Sequence, residues 1–258
     1  MRQQPQYSRH HHQHERQRRR KLVLVFFIGV YTTFYAGAFF GYGPMQLMLE
    51  ANGSFASQCN DNVNDDDDVD LLEELPCPAQ TARLLNVQLV GQISLLFSPV
   101  AGALTDRYGS FIVMMIVAVT AWSGLTLLTY AINNNGKREE QQQQPDDDRD
   151  YLLFVAFFLI GLTSATAHQT MLQSGMLFQD VVQRQRILSI LNGLFDTGSL
   201  TYLMLWTIQR ATDAQVYIVI LLYLVCSIPV FAWPVFLWRG ILLSHEQSST
   251  TKTNTTNT

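Results

Sequence analysis

Six long stretches of this 258-residue sequence contain no charged residue or only one. Five of these stretches hold no charged residue over 22 to 29 positions, and the remaining one spans 23 positions with a single charge, Asp196. An α-helix rises about 1.5 Å per residue, so about 20 residues cross a hydrocarbon core of about 30 Å. Every stretch is therefore long enough to span a membrane as a helix.

The stretches fit membrane helices better than soluble helices or barrel strands. Helices of soluble bundles usually keep a polar face, and strands of membrane barrels alternate in polarity over about 10 residues. The sequence therefore predicts an all-α membrane protein with six transmembrane helices. The predicted spans are about 22–49, 84–105, 109–133, 151–176, 187–209 and 215–238. They form one bundle over 22–240, between a basic, disordered tail at 1–21 and a Ser/Thr-rich tail at 241–258.

The distribution of basic residues predicts the orientation of the spans. With the N-terminus in the cytoplasm, twelve Lys and Arg residues fall on the cytoplasmic side and five on the outer side. Because cytoplasmic loops carry the excess of basic residues, we expect both termini to be cytoplasmic. The cluster RRRK at 18–21 acts as a topology signal in this interpretation; a transit peptide and an acidic-lipid patch are the alternatives. The host membrane is the plasma membrane or a vacuolar or other endomembrane.

The first predicted outer loop contains Cys59 and Cys77. On the oxidising side of a membrane we expect a disulfide between them, with two free thiols as the alternative. Asn52 begins an N-glycosylation pattern in the same loop. The histidine tract at 10–14 lies in a polar tail, and we expect no metal site and no cofactor there.

A short motif joins the second and third predicted spans. Residues 102–109 read GALTDRYG. Gly102 allows another backbone to approach, Asp106 is expected to cap the next helix, and Arg107 is expected to reach a neighbouring helix end or carboxylate. Together with Gly109 these residues form a predicted cytoplasmic gate, and a plain tight turn is the alternative.

This loop resembles the signature loop of the major facilitator superfamily. The segments FGYGP at 40–44 and NGLFDTGS at 192–199 are similar to those of the facilitative large-neutral-amino-acid carriers and their equilibrative nucleobase-transporting relatives. The resemblance implies a twelve-span fold of two six-helix halves, of which this chain would supply one. Ser110 and Phe111 stand where the family usually has basic residues, which argues against proton antiport.

Polar residues within the spans are candidates for substrate binding. Asp196 lies ten residues beyond Arg186, about 15 Å into the membrane, and His168 lies about 18 Å from the inner end of its span. An intramembrane carboxylate marks a functional site or a structural hydrogen bond, and an Asp196–His168 pair is one hypothesis. The full predicted set is Tyr42, His168, Gln169, Asn192 and Asp196.

The sequence predicts transport of a small polar solute, a neutral amino acid or a purine-type nucleobase, by facilitated diffusion with alternating access. Expected partners are membrane lipids, the substrate, and a second six-helix half or a second copy of the chain, but no nucleic acid. No catalytic residue is predicted, because the sequence lacks a phosphate loop, a metal-ligand spacing and a nucleophile–base pair. A non-transporting six-span protein that acts as an assembly partner or a receptor is the alternative. A truncated gene, a dimerising half-transporter and a nonfunctional remnant also stay open.

Overall fold

The computed structural model describes residues 4–56, 59, 77–136, 147–178 and 180–255, and this part of the chain is helical apart from short turns, without a strand. The helices are α1 (Gln4–Tyr31), α2 (Tyr42–Ala51), α3 (Pro78–Ile93), α4 (Ser98–Tyr108), α5 (Ser110–Gly136), α6 (Asp147–Gly175), α7 (Val181–Thr197), α8 (Leu200–Thr212) and α9 (Val216–Thr255). A π-helical turn (Thr32–Ala36) and a 3-10 turn (Gly37–Gly41) join α1 to α2, and a 3-10 turn (Ser94–Phe97) joins α3 to α4.

Four helical stretches are long and apolar enough to cross a membrane. They are Pro78–Tyr108, Ser110–Asn133, Tyr151–Gly175 and Val216–Gly240, which coincide with the second, third, fourth and sixth predicted spans. The described part of the chain is thus all-helical, and four of its helices have the length and composition of membrane-spanning helices.

The first and fifth predicted spans are not single regular helices. The first changes from α to π geometry at Thr32 and to 3-10 geometry at Gly37 before α2 begins. The fifth divides into α7 and α8 at a turn over Gly198 and Ser199. That these two segments cross the membrane stays a prediction. Their breaks were not visible in the hydropathy, because hydropathy measures how apolar a stretch is and does not report a local change of helical geometry.

Local signals in the sequence set several helix ends. Pro78 occupies the first position of α3, where a missing amide hydrogen costs nothing. The Asp180 side chain accepts a hydrogen bond of 3.1 Å from the Val182 amide and caps α7. Gly109 alone separates α4 from α5, at a φ of +81° that favours glycine.

The contacts between segments form a symmetric pattern. We number the segments first (α1–α2), second (α3–α4), third (α5), fourth (α6), fifth (α7–α8) and sixth (α9). The first segment packs on the fifth and the sixth segments. In the same way, the fourth segment packs on the second and the third. The third and sixth also pack on each other, as do the first and fourth. If the first, second and third segments are exchanged with the fourth, fifth and sixth, respectively, the pattern of extensive contacts between segments therefore stays the same.

The outer surface of the bundle is apolar. Leu96, Ile190 and Phe236 have exposed fractions of 76%, 62% and 70%. Large apolar patches of this kind are unusual on soluble monomers, and lipid chains would cover them in a membrane. The core lies where α5, α6 and α9 meet, with Phe157, Leu128 and Ile220 almost fully buried.

Candidate functional site

The break in the first segment is held by hydroxyl groups from three other segments. A change from α to π and 3-10 geometry disturbs the normal pairing of backbone carbonyls. Hydroxyls donate to these carbonyls, from Thr201 to Thr33 (3.1 Å), from Ser164 to Ala36 (2.6 Å) and from Tyr223 to Phe34. Because the membrane interior supplies no water to backbone groups, these bonds allow the break to exist inside the bundle.

The breaks in the first and fifth segments touch each other through their backbones. A Cβ atom on Gly198 would lie 2.5 Å from the Thr33 carbonyl oxygen and 2.6 Å from the Gly37 Cα. A Cβ atom on Gly41 would collide with the Ser199 carbonyl. Glycine at these positions therefore permits the closest approach of the two broken segments.

A similar contact joins the fourth and second segments. A Cβ atom on Gly161 would collide with the Ser94 hydroxyl and the Gly91 carbonyl. Ser94 begins the 3-10 turn of the second segment, and its hydroxyl donates to Gly91 at 2.5 Å. The glycine contacts thus follow the same symmetry as the packing of the segments.

Tyrosine side chains form a polar cluster beside the break. The rings of Tyr35 and Tyr223 stack with centroids 4.6 Å apart, and the Tyr35 hydroxyl donates to the Tyr223 carbonyl at 3.2 Å. Together with Tyr202 and Thr163 they line a narrow cavity inside the bundle. These tyrosines were not predicted from the sequence, although aromatic hydroxyls within otherwise apolar stretches were a visible signal.

Tyr42 is placed inside the bundle. It is almost fully buried, its hydroxyl donates to the Leu84 carbonyl at 2.9 Å, and its ring meets the edge of Phe157 at 5.3 Å. These contacts connect α2 to α3 and α6, and the hydroxyl is hydrogen-bonded within the protein.

Gln169 and His168 contact different neighbours of α6. The Gln169 amide donates to the Ser98 hydroxyl at 3.0 Å, toward α4. The His168 ring lies 5.2 Å from the Phe195 ring on α7. His168 and Asp196 are not within 4 Å of each other, so the hypothesised pair is not formed and Phe195 is the contact of the histidine instead.

Asn192 and Asp196 lie on an exposed face of α7. Ser189 and Gly193 are also exposed and share this face at helical spacing. In the described part of the chain no cation lies within 4 Å of the Asp196 carboxylate. The structure therefore separates the predicted substrate residues: Tyr42 is internal, His168 and Gln169 lie between helices, and Asn192 and Asp196 face outward.

The predicted gate has a different local structure from the one expected. Asp106 lies in the last turn of α4 and not at the start of α5, because α4 continues to Tyr108. The Arg107 guanidinium stacks over the neighbouring Tyr108 ring at 5.4 Å and does not reach another helix. Both side chains are exposed, and Gly102 faces Gln169 with room for a Cβ atom at 3.8 Å.

Cys59 and Cys77 of the predicted outer loop form a disulfide, with their Cα atoms 6.0 Å apart. The Asn52 side chain donates to the Ile132 carbonyl of α5 at 3.3 Å. Ser54 is fully buried, and its carbonyl accepts a hydrogen bond of 2.8 Å from Gln80 of α3. Glycosylation of Asn52 stays a prediction. No group of three potential metal ligands occurs among the residues whose side chains are described, and the side chains of His10, His11, His12 and His14 lie outside that set.

Comparisons of the chain with protein-family models, with curated proteins and with solved structures found no match. Membership of the major facilitator superfamily therefore stays a proposal that rests on the sequence motifs.

Proposed function

We propose that this chain forms a six-span half of a major-facilitator-type transporter. It would carry a small polar solute, a neutral amino acid or a purine-type nucleobase, by facilitated diffusion with alternating access. The observation that carries the proposal is the paired break of the first and fifth segments, stabilised by hydroxyls and packed through glycine. Discontinuous helices of this kind form the substrate sites of many secondary transporters.

The symmetric packing supports the same proposal. If all six segments cross the membrane, the first three and the last three enter from opposite sides, since three is an odd number of crossings. The contact symmetry is then that of an inverted repeat, the arrangement found within each six-span half of these transporters. Both termini would lie in the cytoplasm, as the basic residues predict.

The exposed polar face of α7 is the proposed substrate surface. An ionised carboxylate such as Asp196 is expensive against lipid and needs water or a partner. A second six-helix unit, either another half or a second copy of this chain, would cover this face and enclose a polar passage. Asn192 and Asp196 would contact the solute there, with His168 behind them next to Phe195.

The proposal is tested by uptake of labelled neutral amino acids and purine bases into proteoliposomes that contain the purified chain. Asp196→Asn removes the charge on the proposed surface, and we expect it to reduce uptake by about tenfold or more while the protein elutes normally in gel filtration. Asp213→Asn is the matched control, because Asp213 is exposed at the end of α8 in the same segment. Normal uptake by Asp196→Asn would remove Asp196 from the mechanism.

The alternative function is that of a non-transporting membrane partner or receptor. The specific observation in its favour is that the Tyr42 hydroxyl is hydrogen-bonded to the Leu84 carbonyl inside the bundle. The other predicted substrate residues do not enclose a pocket within one chain. A well-folded protein without saturable uptake of either solute class would support this alternative over transport.

A further inference from the structure

Two cations from distant parts of the sequence converge on the turn between α6 and α7. The Lys21 ammonium donates to the Leu177 carbonyl at 2.9 Å. The Arg184 guanidinium donates to the Met176 sulfur at 3.4 Å. Lys21 and Arg184 are 163 positions apart, so only the packing of the first, fourth and fifth segments brings them to residues 176–178.

In the described part of the chain, no carboxylate lies within 4 Å of either cation. Glu15, the acid nearest to Lys21 in the described sequence before it, pairs with Arg19. Asp180 is the acid next to the turn, but its carboxylate caps α7 through the Val182 amide. Lys21 and Arg184 are both partly buried, and a partly buried cation without a counter-charge is costly. Each also keeps further N–H donors beyond the one it uses.

The turn lies at the boundary between charged and apolar sequence. Lys21 directly precedes the apolar run that begins at Leu22, and Arg184 lies in the first turn of α7, before the buried Ile187. The exposed Arg20 and Arg186 flank the two cations in sequence. In a membrane this level is occupied by lipid headgroups, where acidic lipids attract Lys and Arg.

We propose that Lys21 and Arg184, at the turn of residues 176–178, bind the phosphate of an acidic phospholipid headgroup. The phosphate accepts hydrogen bonds from both side chains and supplies the missing negative charge. The bound headgroup ties the inner ends of the first and fifth segments to the end of the fourth. This site is independent of the transport proposal, since it lies at the end of the bundle away from Asp196.

Lipid binding to the full-length purified chain tests the proposal. Native mass spectrometry in detergent measures the apparent affinity for phosphatidylserine, and thermal unfolding measures its stabilisation. We expect Lys21→Gln and Arg184→Gln each to weaken phosphatidylserine binding by about fivefold, and the double variant by about 25-fold, because one basic residue near an acidic surface contributes about this much. Arg239→Gln is the control, since Arg239 is exposed on α9 just after the sixth apolar stretch and its replacement removes the same charge.

Further variants keep the test decisive if a glutamine variant folds poorly. Lys21→Arg and Arg184→Lys keep the charge and should retain phosphatidylserine binding. The proposal is overturned if the double glutamine variant binds phosphatidylserine as tightly as the unchanged protein, or if Arg239→Gln weakens binding equally. Equal stabilisation by inorganic phosphate at the same concentration would overturn the lipid assignment and indicate a free-anion site. Equal binding of phosphatidylcholine would show that headgroup charge is not recognised.

Discussion

Adding one methyl group to Gly198 should separate the two broken segments. Gly198 has a φ of −57° and a ψ of −23°, which alanine adopts readily. Any effect of Gly198→Ala therefore comes from contact and not from backbone strain. The new Cβ atom would lie 2.5 Å from the Thr33 carbonyl oxygen and 2.6 Å from the Gly37 Cα, and neither backbone can rotate away as a side chain could.

The size of the effect follows from these distances. An ordinary contact begins at 3.4 Å, so the segments must separate by 0.9 Å to relieve the 2.5 Å approach. The hydrogen bond of 3.1 Å from Thr201 to Thr33 then lengthens to about 4 Å and is lost. Overpacking costs about 1–3 kcal/mol, and a lost hydrogen bond between membrane helices costs about 0.6 kcal/mol. We therefore expect Gly198→Ala to lower the free energy of unfolding by about 2–4 kcal/mol.

Gly193 provides a matched control on the same helix. A Cβ atom there meets nothing within 4 Å, so Gly193→Ala should be neutral or stabilise α7 by up to about 1 kcal/mol. Reversible unfolding in mixed detergent micelles, followed by circular dichroism, measures both variants against the unchanged protein. If Gly198→Ala is as stable as Gly193→Ala, the backbone contact between the first and fifth segments is not formed as described.

Two further predictions concern the hydroxyl support of the break and the outer loop. Ser164→Ala removes the buried donor to the first segment and should lower the free energy of unfolding by about 0.6–1 kcal/mol. Ser123 is exposed on α5, so Ser123→Ala should leave this free energy unchanged. Equal effects of the two substitutions would contradict the proposed support. Cys59→Ser opens the disulfide to Cys77 and should cost about 3 kcal/mol. Maleimide labelling of denatured, unreduced protein should find one thiol, Cys226, of the three cysteines present, and three labelled thiols would refute the disulfide.

Several residues of the candidate site could be predicted from the sequence, but their contacts could not. The sequence singled out Asp196 and His168 by their depth in apolar stretches, but it could not show that His168 contacts Phe195 and not Asp196. It placed Asp106 at a helix start because a short motif between two spans suggested an early turn, whereas α4 continues through Arg107. The supporting roles of Ser164 and the tyrosines were missed, because a hydroxyl in an apolar stretch has no pattern that identifies its partner.

The spacing of charged residues by itself determined that the chain is helical and built for a membrane, since the hydrocarbon core demands about 20 uncharged residues and satisfied backbone groups for each crossing. Only the tertiary structure decided where helices break and what supports the breaks. The Thr33 carbonyl receives its hydrogen bond from Thr201, 168 positions away, and Lys21 reaches Leu177 across 156 positions. Such pairs depend on which segments pack together, and the local sequence around a residue does not indicate which distant segment will contact it.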